Sequence, residues 1–296
     1  MNRLKFSSYI QFFQPLSLIG GGLFYALGAG IAHYLGHAID WQAYWLGQTW
    51  VTLLQLSMIL LEYYFDALKD AVNRLRNDEN TKVLSQQQSL IAGLAVLVVI
   101  ALSTTLLIRG HYLNPAMDTI LGLAFILAFL FVIPPVQLNH SGYGELVTAT
   151  LLTILFPAIA FLLQAGDLHR LLAMATFPLT PLFLAMALAQ ALPTYAADMK
   201  TGRWTLMLRV GWKQGMRLHD ILILVGFLLL VAAMSLGLPW RITWPTLLVL
   251  PIGIYQIWQM NQIAEGAKAR WILLNTTAIA TIGLLAYLLT FGFWIG

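Results

Sequence analysis

The chain contains no cysteine among its 296 residues, and only 9% of them are charged. The first absence excludes a disulfide framework, thiolate metal sites and thiol chemistry. The second excludes a soluble domain of this length. Hydrophobic residues make up 59% of the chain and the mean hydropathy is +0.78, as in a polytopic membrane protein. A pI near 9.3 could suggest a nucleic-acid partner, but the basic residues gather in loops beside apolar runs, a pattern that sets topology and meets anionic lipids or substrates. The first apolar run is too long for a signal-peptide core and lacks a small-residue cleavage site, so it reads as a membrane span.

Nine apolar stretches follow one another, at about 12–36, 43–66, 87–108, 117–134, 145–165, 170–192, 218–238, 242–262 and 271–294, each near the length that a bilayer requires. Residues 1–296 thus read as one all-α transmembrane domain. Of the 16 Lys and Arg, all but Arg109, Arg170 and Arg241 fall in loops on one side. That bias predicts a cytoplasmic N-terminus and a C-terminus outside the cell membrane. Trp41, Trp45, Trp240, Trp244 and Trp294 lie near outer span ends, where an aromatic belt is expected. Small residues of the first span, Gly20-Gly-Gly22, Gly28 and Gly30, suit close helix packing. His33 and His37 have a metal-ligand spacing but no clear third ligand, and read as interfacial polar residues.

Charge gathers beside an apolar helix in two places. The second span ends in Glu62-Tyr-Tyr-Phe-Asp66-Ala-Leu-Lys-Asp70. On a helix these three carboxylates share a face, as a ladder about 12 Å long. Like charges on one stripe repel, so a cation should hold them. Mg²⁺ suits hard oxygen ligands and substrate phosphates. Arg74, Arg76 and Lys82 follow in the next loop. The second cluster, after the sixth span, contains Thr194, Tyr195, Asp198, Lys200, Gly202, Arg203, Thr205, Arg209 and Gly211. Four helices separate the two clusters, which suggests two similar halves offering acidic helix ends to one cytoplasmic site. Between them, Pro134-Pro135 opens a turning loop that ends at Glu145, an acid suited to a helix N-terminus. Asp220 and Glu265 are lone acids near span ends and read as solvated.

Three stretches in register resemble the UbiA superfamily of intramembrane prenyltransferases, and within it the 1,4-dihydroxy-2-naphthoate prenyltransferases of menaquinone synthesis. The family's Asn-Asp-x-x-Asp-x-x-x-Asp is similar to Glu62-Tyr63-x-x-Asp66-x-x-x-Asp70. Gln55 stands where that branch commonly has glutamine. Its P-x-x-L-x-x-x-G-x-G-E resembles Pro135 to Glu145. The second motif, Asp-x-x-x-Asp followed by G-K/R-x-T-L-x-x-x-x-G, resembles Thr194-x-x-x-Asp198, then Gly202-Arg203-x-Thr205-Leu206 to Gly211. Glu62, Tyr63 and Thr194 depart from the family pattern, as does Gln14-Pro15 in place of Arg-Pro.

The resemblance implies a UbiA-type bundle with a central cavity open to the cytoplasmic side and the membrane. It implies Mg²⁺-dependent transfer from a polyprenyl diphosphate to an aromatic acceptor in quinone synthesis. The implied metal ligands are Glu62, Asp66, Asp70 and Asp198. Lys200 and Arg203 would act on the diphosphate, helped by Arg74 or Arg76, with Gln55, Tyr63, Tyr195 and Glu145 as further binding residues. Two other readings share the scaffold. One is a terpene cyclase, in which the cation is quenched within its own chain. The other is a quinone- or pigment-binding membrane subunit, working with a membrane-protein partner, that has lost the metal site.

Overall fold

The computed structural model describes residues 15–73 and 86–296, and within them every regular element is helical. Long helices are Pro15–Tyr34 (α1), Trp41–Asn73 (α2), Gln86–Arg109 (α3) and Pro115–Val132 (α4). They continue with Gly144–Ala165 (α5) and Arg170–Ala191 (α6). Two short helices, Tyr195–Thr201 (α7) and Leu206–Val210 (α8), precede Trp212–Ser235 (α9), Leu250–Ala264 (α10) and Trp271–Ile295 (α11). Six of these, α3, α4, α5, α6, α9 and α11, are long and apolar enough to cross a membrane by length and composition. Each of the nine expected stretches has a helical counterpart, but not every one is a single unbroken rod.

The interruptions follow proline. α6 breaks at Phe177-Pro178, where the missing N–H ends one ladder and begins another. The stretch before α10 is a short helix, Trp240–Thr243, then a 3-10 turn at Trp244–Val249 containing Pro245. α5 carries a π turn at Leu151–Leu155, just before Pro157. α9 starts at Trp212, earlier than the expected 218, because Gly211 takes a left-handed φ of 85° and restarts the helix there.

The helices close into a ring in the order α1, α2, α4, α5, α6, α9, α10, α11 and back to α1, with α3 packed on the flank of α2. α1 also runs along α5 and so fills one side of the ring's interior. The approach is close at Gly28, where an added Cβ would lie 2.0 Å from the Pro157 carbonyl oxygen. Only glycine permits that crossing. Phe24, Tyr25 and Leu27 on α1 and Phe156, Ile159 and Phe161 on α5 are buried.

At its C-terminal end α1 stops at Tyr34, so His33 and His37 do not share a helical face. His33 instead stacks on Trp294 at 5.5 Å. Trp41, Trp45, Trp240 and Trp244 are exposed. Asp40 accepts from the backbone N–H of Gln42 and Ala43 and from the Tyr112 hydroxyl at 2.9 Å. These donors, Ala43 first, hold its carboxyl below the ordinary range, and the same contact raises the Tyr112 phenol.

The second half of the bundle holds polar groups that periodicity alone passes over. Gln256 on α10 donates to His219 Nε2 on α9 at 2.8 Å, so His219 Nδ1–H faces Asp220 Oδ1, also at 2.8 Å. Thr281 on α11 donates to Gln256 Oε1 at 3.1 Å. His219 is fully buried. Asp220 is therefore not a solvated lone acid but the partner of a buried imidazole, which needs a hydrogen-bond acceptor there.

Candidate active site

A cavity of about 520 Å³ opens inside the ring. Phe24, Leu23, Leu152, Phe183, Met186, Ile282 and Ala286 give it apolar walls, from α1, α5, α6 and α11. Glu62, Asn139, Glu145, Gln190, Arg203 and Thr205 give it polar wall groups. An elongated apolar ligand with a charged head suits such a space.

The polar groups come from elements far apart in sequence. Glu62 lies on α2, with its side chain 16% exposed. Asn139 Nδ2 donates to Glu62 Oε1 at 3.2 Å, and Arg203 Nη2 approaches the same oxygen at 3.5 Å. One turn along the same face, Asp66 Oδ1 lies 2.5 Å from His140 Nε2. Two residues of the turn Leu138–His140 thus cross to two carboxylates of one helix stripe.

That turn is clasped to the segment carrying Arg203. Arg209 Nη1 donates to the Ser141 carbonyl at 2.8 Å, and its guanidinium sits 4.1 Å from the centre of the Tyr143 ring. Ser141 also forms a single parallel bridge with Trp204. Glu145 Oε1 accepts from the backbone N–H of Leu206 at 3.0 Å, while Thr205 caps α8 through Leu208 N–H. Glu145 lies in the first turn of α5, as expected. It also reaches across to α8, a second N-terminus that the sequence did not single out.

The other expected site residues fall in different places. α2 continues through Asp70, whose side chain lies outside the described residues, as do Arg74 and Arg76. Asp198 and Lys200 sit on α7, and Thr194 Oγ1 donates to Asp198 Oδ2 at 2.7 Å. Neither Asp198 nor Lys200 lines the cavity, and Lys200 is exposed. Tyr195 is partly buried against the apolar core. Tyr63 stands beside Glu62 in sequence but off the cavity wall. Gln55 is buried and donates to the Ser17 carbonyl at 3.1 Å, which ties α2 to α1. Among the described residues no three Asp, Glu or His side chains converge as a metal-binding group.

Asn139 and His140 carried no assignment from sequence. Their only signal was position, inside the turning loop that ends at Glu145. The Asn139 Oδ1 atom is buried and has no hydrogen-bond partner.

The UbiA prenyltransferase family model matches residues 22–279 of the chain. A UbiA homolog from Archaeoglobus fulgidus bound to GPP and Mg²⁺ superposes with a TM-score of 0.66 at 16% identity, over 97% of this chain and 99% of that one. The same homolog bound to DMAPP and Mg²⁺ gives 0.66 at 14% identity with the same coverage. A structure concerning digeranylgeranylglyceryl phosphate synthase in membranes gives 0.63 at 13% identity, over 99% of this chain and 98% of that one. At these identities the likeness is one of fold. No curated relative matches the sequence.

Proposed function

Because the chain belongs to the UbiA prenyltransferase family, we propose that it transfers a polyprenyl group from a prenyl diphosphate to an electron-rich aromatic acceptor of the 1,4-dihydroxy-2-naphthoate kind, in quinone synthesis. The observation that carries this reading is the cavity itself, with apolar walls of Phe24, Leu152, Phe183 and Met186 and the polar set Glu62, Asn139 and Arg203. The isoprenoid tail lies along the apolar walls and the diphosphate meets the polar set.

The donor chemistry there fits a hard divalent cation: two carboxylates one turn apart on α2. Glu62, Asp66, Asp70 and Asp198 would hold Mg²⁺, which when bound supplies positive charge against the departing diphosphate. Arg203, with its side chain about half exposed, can leave Glu62 for a phosphate oxygen, since an exposed pair at 3.5 Å is weakly held. Lys200, with Arg74 or Arg76, would help to neutralise the diphosphate. The apolar walls exclude water, so the allylic cation formed as the C–O bond breaks meets the acceptor ring rather than solvent. The aromatic faces of Phe24, Phe131 and Phe183 can stabilise that cation.

The basic loops favour a multi-pass protein of the cytoplasmic membrane, with nine spans, the N-terminus and the site on the cytoplasmic side, and Gly296 outside. The partners are then the two substrates and the surrounding lipid, not a nucleic acid. A C-terminal reporter active only in the cytosol should stay silent.

One observation favours the binding-subunit reading. Glu62 is engaged by Asn139 and Arg203, and Asp66 by His140, so protein groups already meet the acids that would hold a metal. A single assay separates the two. Purified protein in detergent receives labelled prenyl diphosphates of several lengths, the naphthoate acceptor, and Mg²⁺ from zero to millimolar. A labelled, Mg²⁺-dependent prenylated ring supports the transferase. No turnover with any donor or acceptor, together with a copurifying quinone, replaces it with the binding subunit. Diphosphate release giving a cyclic hydrocarbon without acceptor points to a cyclase.

A further inference from the structure

We propose that Gln190 binds a ring hydroxyl of the aromatic acceptor and so fixes where the ring lies against the prenyl donor. The proposal rests on the transferase reading and adds an acceptor-binding residue to it.

Of the polar wall groups Glu62, Asn139, Glu145, Gln190, Arg203 and Thr205, all but Gln190 are engaged by other parts of the protein. Asn139 and Arg203 meet Glu62. Glu145 accepts from the Leu206 N–H and Thr205 from the Leu208 N–H. Gln190 lies near the C-terminal end of α6, and no described residue hydrogen-bonds its side chain. A primary amide carries two N–H donors and a carbonyl acceptor. Inside an apolar helical bundle such a group is costly unless something satisfies it.

Its position suits an acceptor ring. Phe183, Met186, Ala187 and Gln190 all line the cavity, at the i, i+3, i+4 and i+7 spacing of one helix face. Gln190 is the polar end of that stripe. α5 and α6 pack side by side in opposite directions, joined by the short loop 166–169. Thr153 on α5 meets Thr180 on α6 at 2.8 Å. Ten residues on from Thr180 is Gln190, and ten back from Thr153 is Tyr143, just before α5 begins. Gln190 is thus level with the start of α5, where Glu145 stands. The bond that breaks in prenyl transfer joins the diphosphate to the first carbon of the tail. That carbon lies where the polar set gives way to the apolar walls, and the acceptor has to meet it there. Gln190 stands at this boundary, separated from the α2 acids in the ring of helices by α4 and α5. An uncharged amide gives a diphosphate less than a guanidinium does, whereas a ring hydroxyl, which both donates and accepts, matches it. One turn back on the stripe, the Met186 thioether offers the ring a favourable sulfur–aromatic contact.

The test is equilibrium dialysis of labelled 1,4-dihydroxy-2-naphthoate and of its two monohydroxy analogues against the full chain in detergent, with protein-free micelles as the blank. Prenyl transfer by the parent is measured in parallel. The parent should bind the dihydroxy ring about tenfold more tightly than at least one analogue, the worth of one good hydrogen bond. Gln190→Met, similar in length and without an amide, should lose that preference while still binding a labelled prenyl diphosphate as the parent does. A loss of packing alone would weaken all the rings alike and keep the preference, and that result overturns the proposal. So does a variant that binds every ring as the parent does, or a parent with no preference; the transferase reading then stands if the parent still forms the prenylated ring. A parent that binds with the expected preference but forms no product sinks the transferase reading and leaves Gln190 as a ring-binding residue. A parent that binds no naphthoate and forms no product sinks both. If Gln190→Met does not fold, Gln190→Leu replaces it with the same expected loss.

Discussion

The two acid-bearing arms of the site are alike in sequence and unlike in structure. On α2, Glu62 and Asp66 each meet a side chain that comes from another element: Asn139 and Arg203 in one case, His140 in the other. On α7, Asp198 is held by Thr194, four residues before it in the same chain segment. Glu62 of the first arm lines the cavity, whereas Asp66 and Asp198 do not. Acids at helical spacing therefore do not by themselves make a site. What makes one is the set of groups brought across to them.

The largest test of this contrast is a pair of charge-removing variants. Glu62→Gln or Asp66→Asn should lower prenyl transfer at saturating Mg²⁺ by about a hundredfold or more, because each removes a charge from the first arm. Asp198→Asn should cost about tenfold, as for a supporting ligand. Initial rates with a labelled donor decide the order. Equal losses would mean that the two arms close together on substrate, and a larger loss at Asp198 would reverse the ranking. Thr194→Asp sharpens the same point. If the second arm lacks only a carboxylate, this variant should restore part of the Mg²⁺ affinity that Glu62→Gln loses. If the second arm stands apart from the cation, it restores nothing.

A smaller effect is expected where the two loops are clasped. Arg209→Ala removes the bond to the Ser141 carbonyl and the stacking on Tyr143. Its side chain is largely exposed, so the stability loss should be only about 1 kcal/mol. The kinetic signature should be clearer: the KM for the prenyl diphosphate rises more than kcat falls, and Arg209→Lys recovers part of it. A variant whose kcat alone falls would place Arg209 in the chemistry instead.

The smallest effect lies at the opposite end of the molecule, around Asp40. Donors from Ala43, Tyr112 and Gln42 hold its folded pKa below the unfolded value, which is about 3.9. A depressed acid contributes stability that is fully present above the unfolded pKa and is lost as the pH falls through the folded one. The parent should therefore lose melting temperature below about pH 4, and Asp40→Asn should flatten that limb while hardly moving the value near pH 7. Thermal unfolding between pH 7 and 3 reads both. An unchanged acid limb would assign the loss to other carboxylates.

Much of the fold was legible because membrane helices announce themselves locally. Runs of apolar residues, loop charge and tryptophans near helix ends are properties of short windows, and the bilayer imposes the length of the runs. Proline breaks at Pro178 and Pro245 shifted boundaries rather than topology. Asp220 was misread because an acid at a span end looks solvated until a buried histidine is found next to it. Of the acids and bases singled out in the two charge clusters, Glu62 and Arg203 line the cavity. The site was not legible in Asn139 and His140, since nothing about a polar loop residue reveals which helix it will meet.

The sequence by itself determined the class of molecule, the helices, and a stripe with Glu62 and Asp66 on one side of α2. Composition and helical periodicity act over a few residues, and they suffice for that much. Only the tertiary structure decided what those carboxylates face. Asn139 lies 77 residues from Glu62, His140 lies 74 from Asp66, and Arg203 lies 141 from Glu62. These meetings follow from closure of the helical ring, which brings the loop after α4 and the segment after α7 over the C-terminal half of α2. No local pattern encodes that closure; it is set by the packing of whole helices, such as the crossing of α1 and α5 at Gly28.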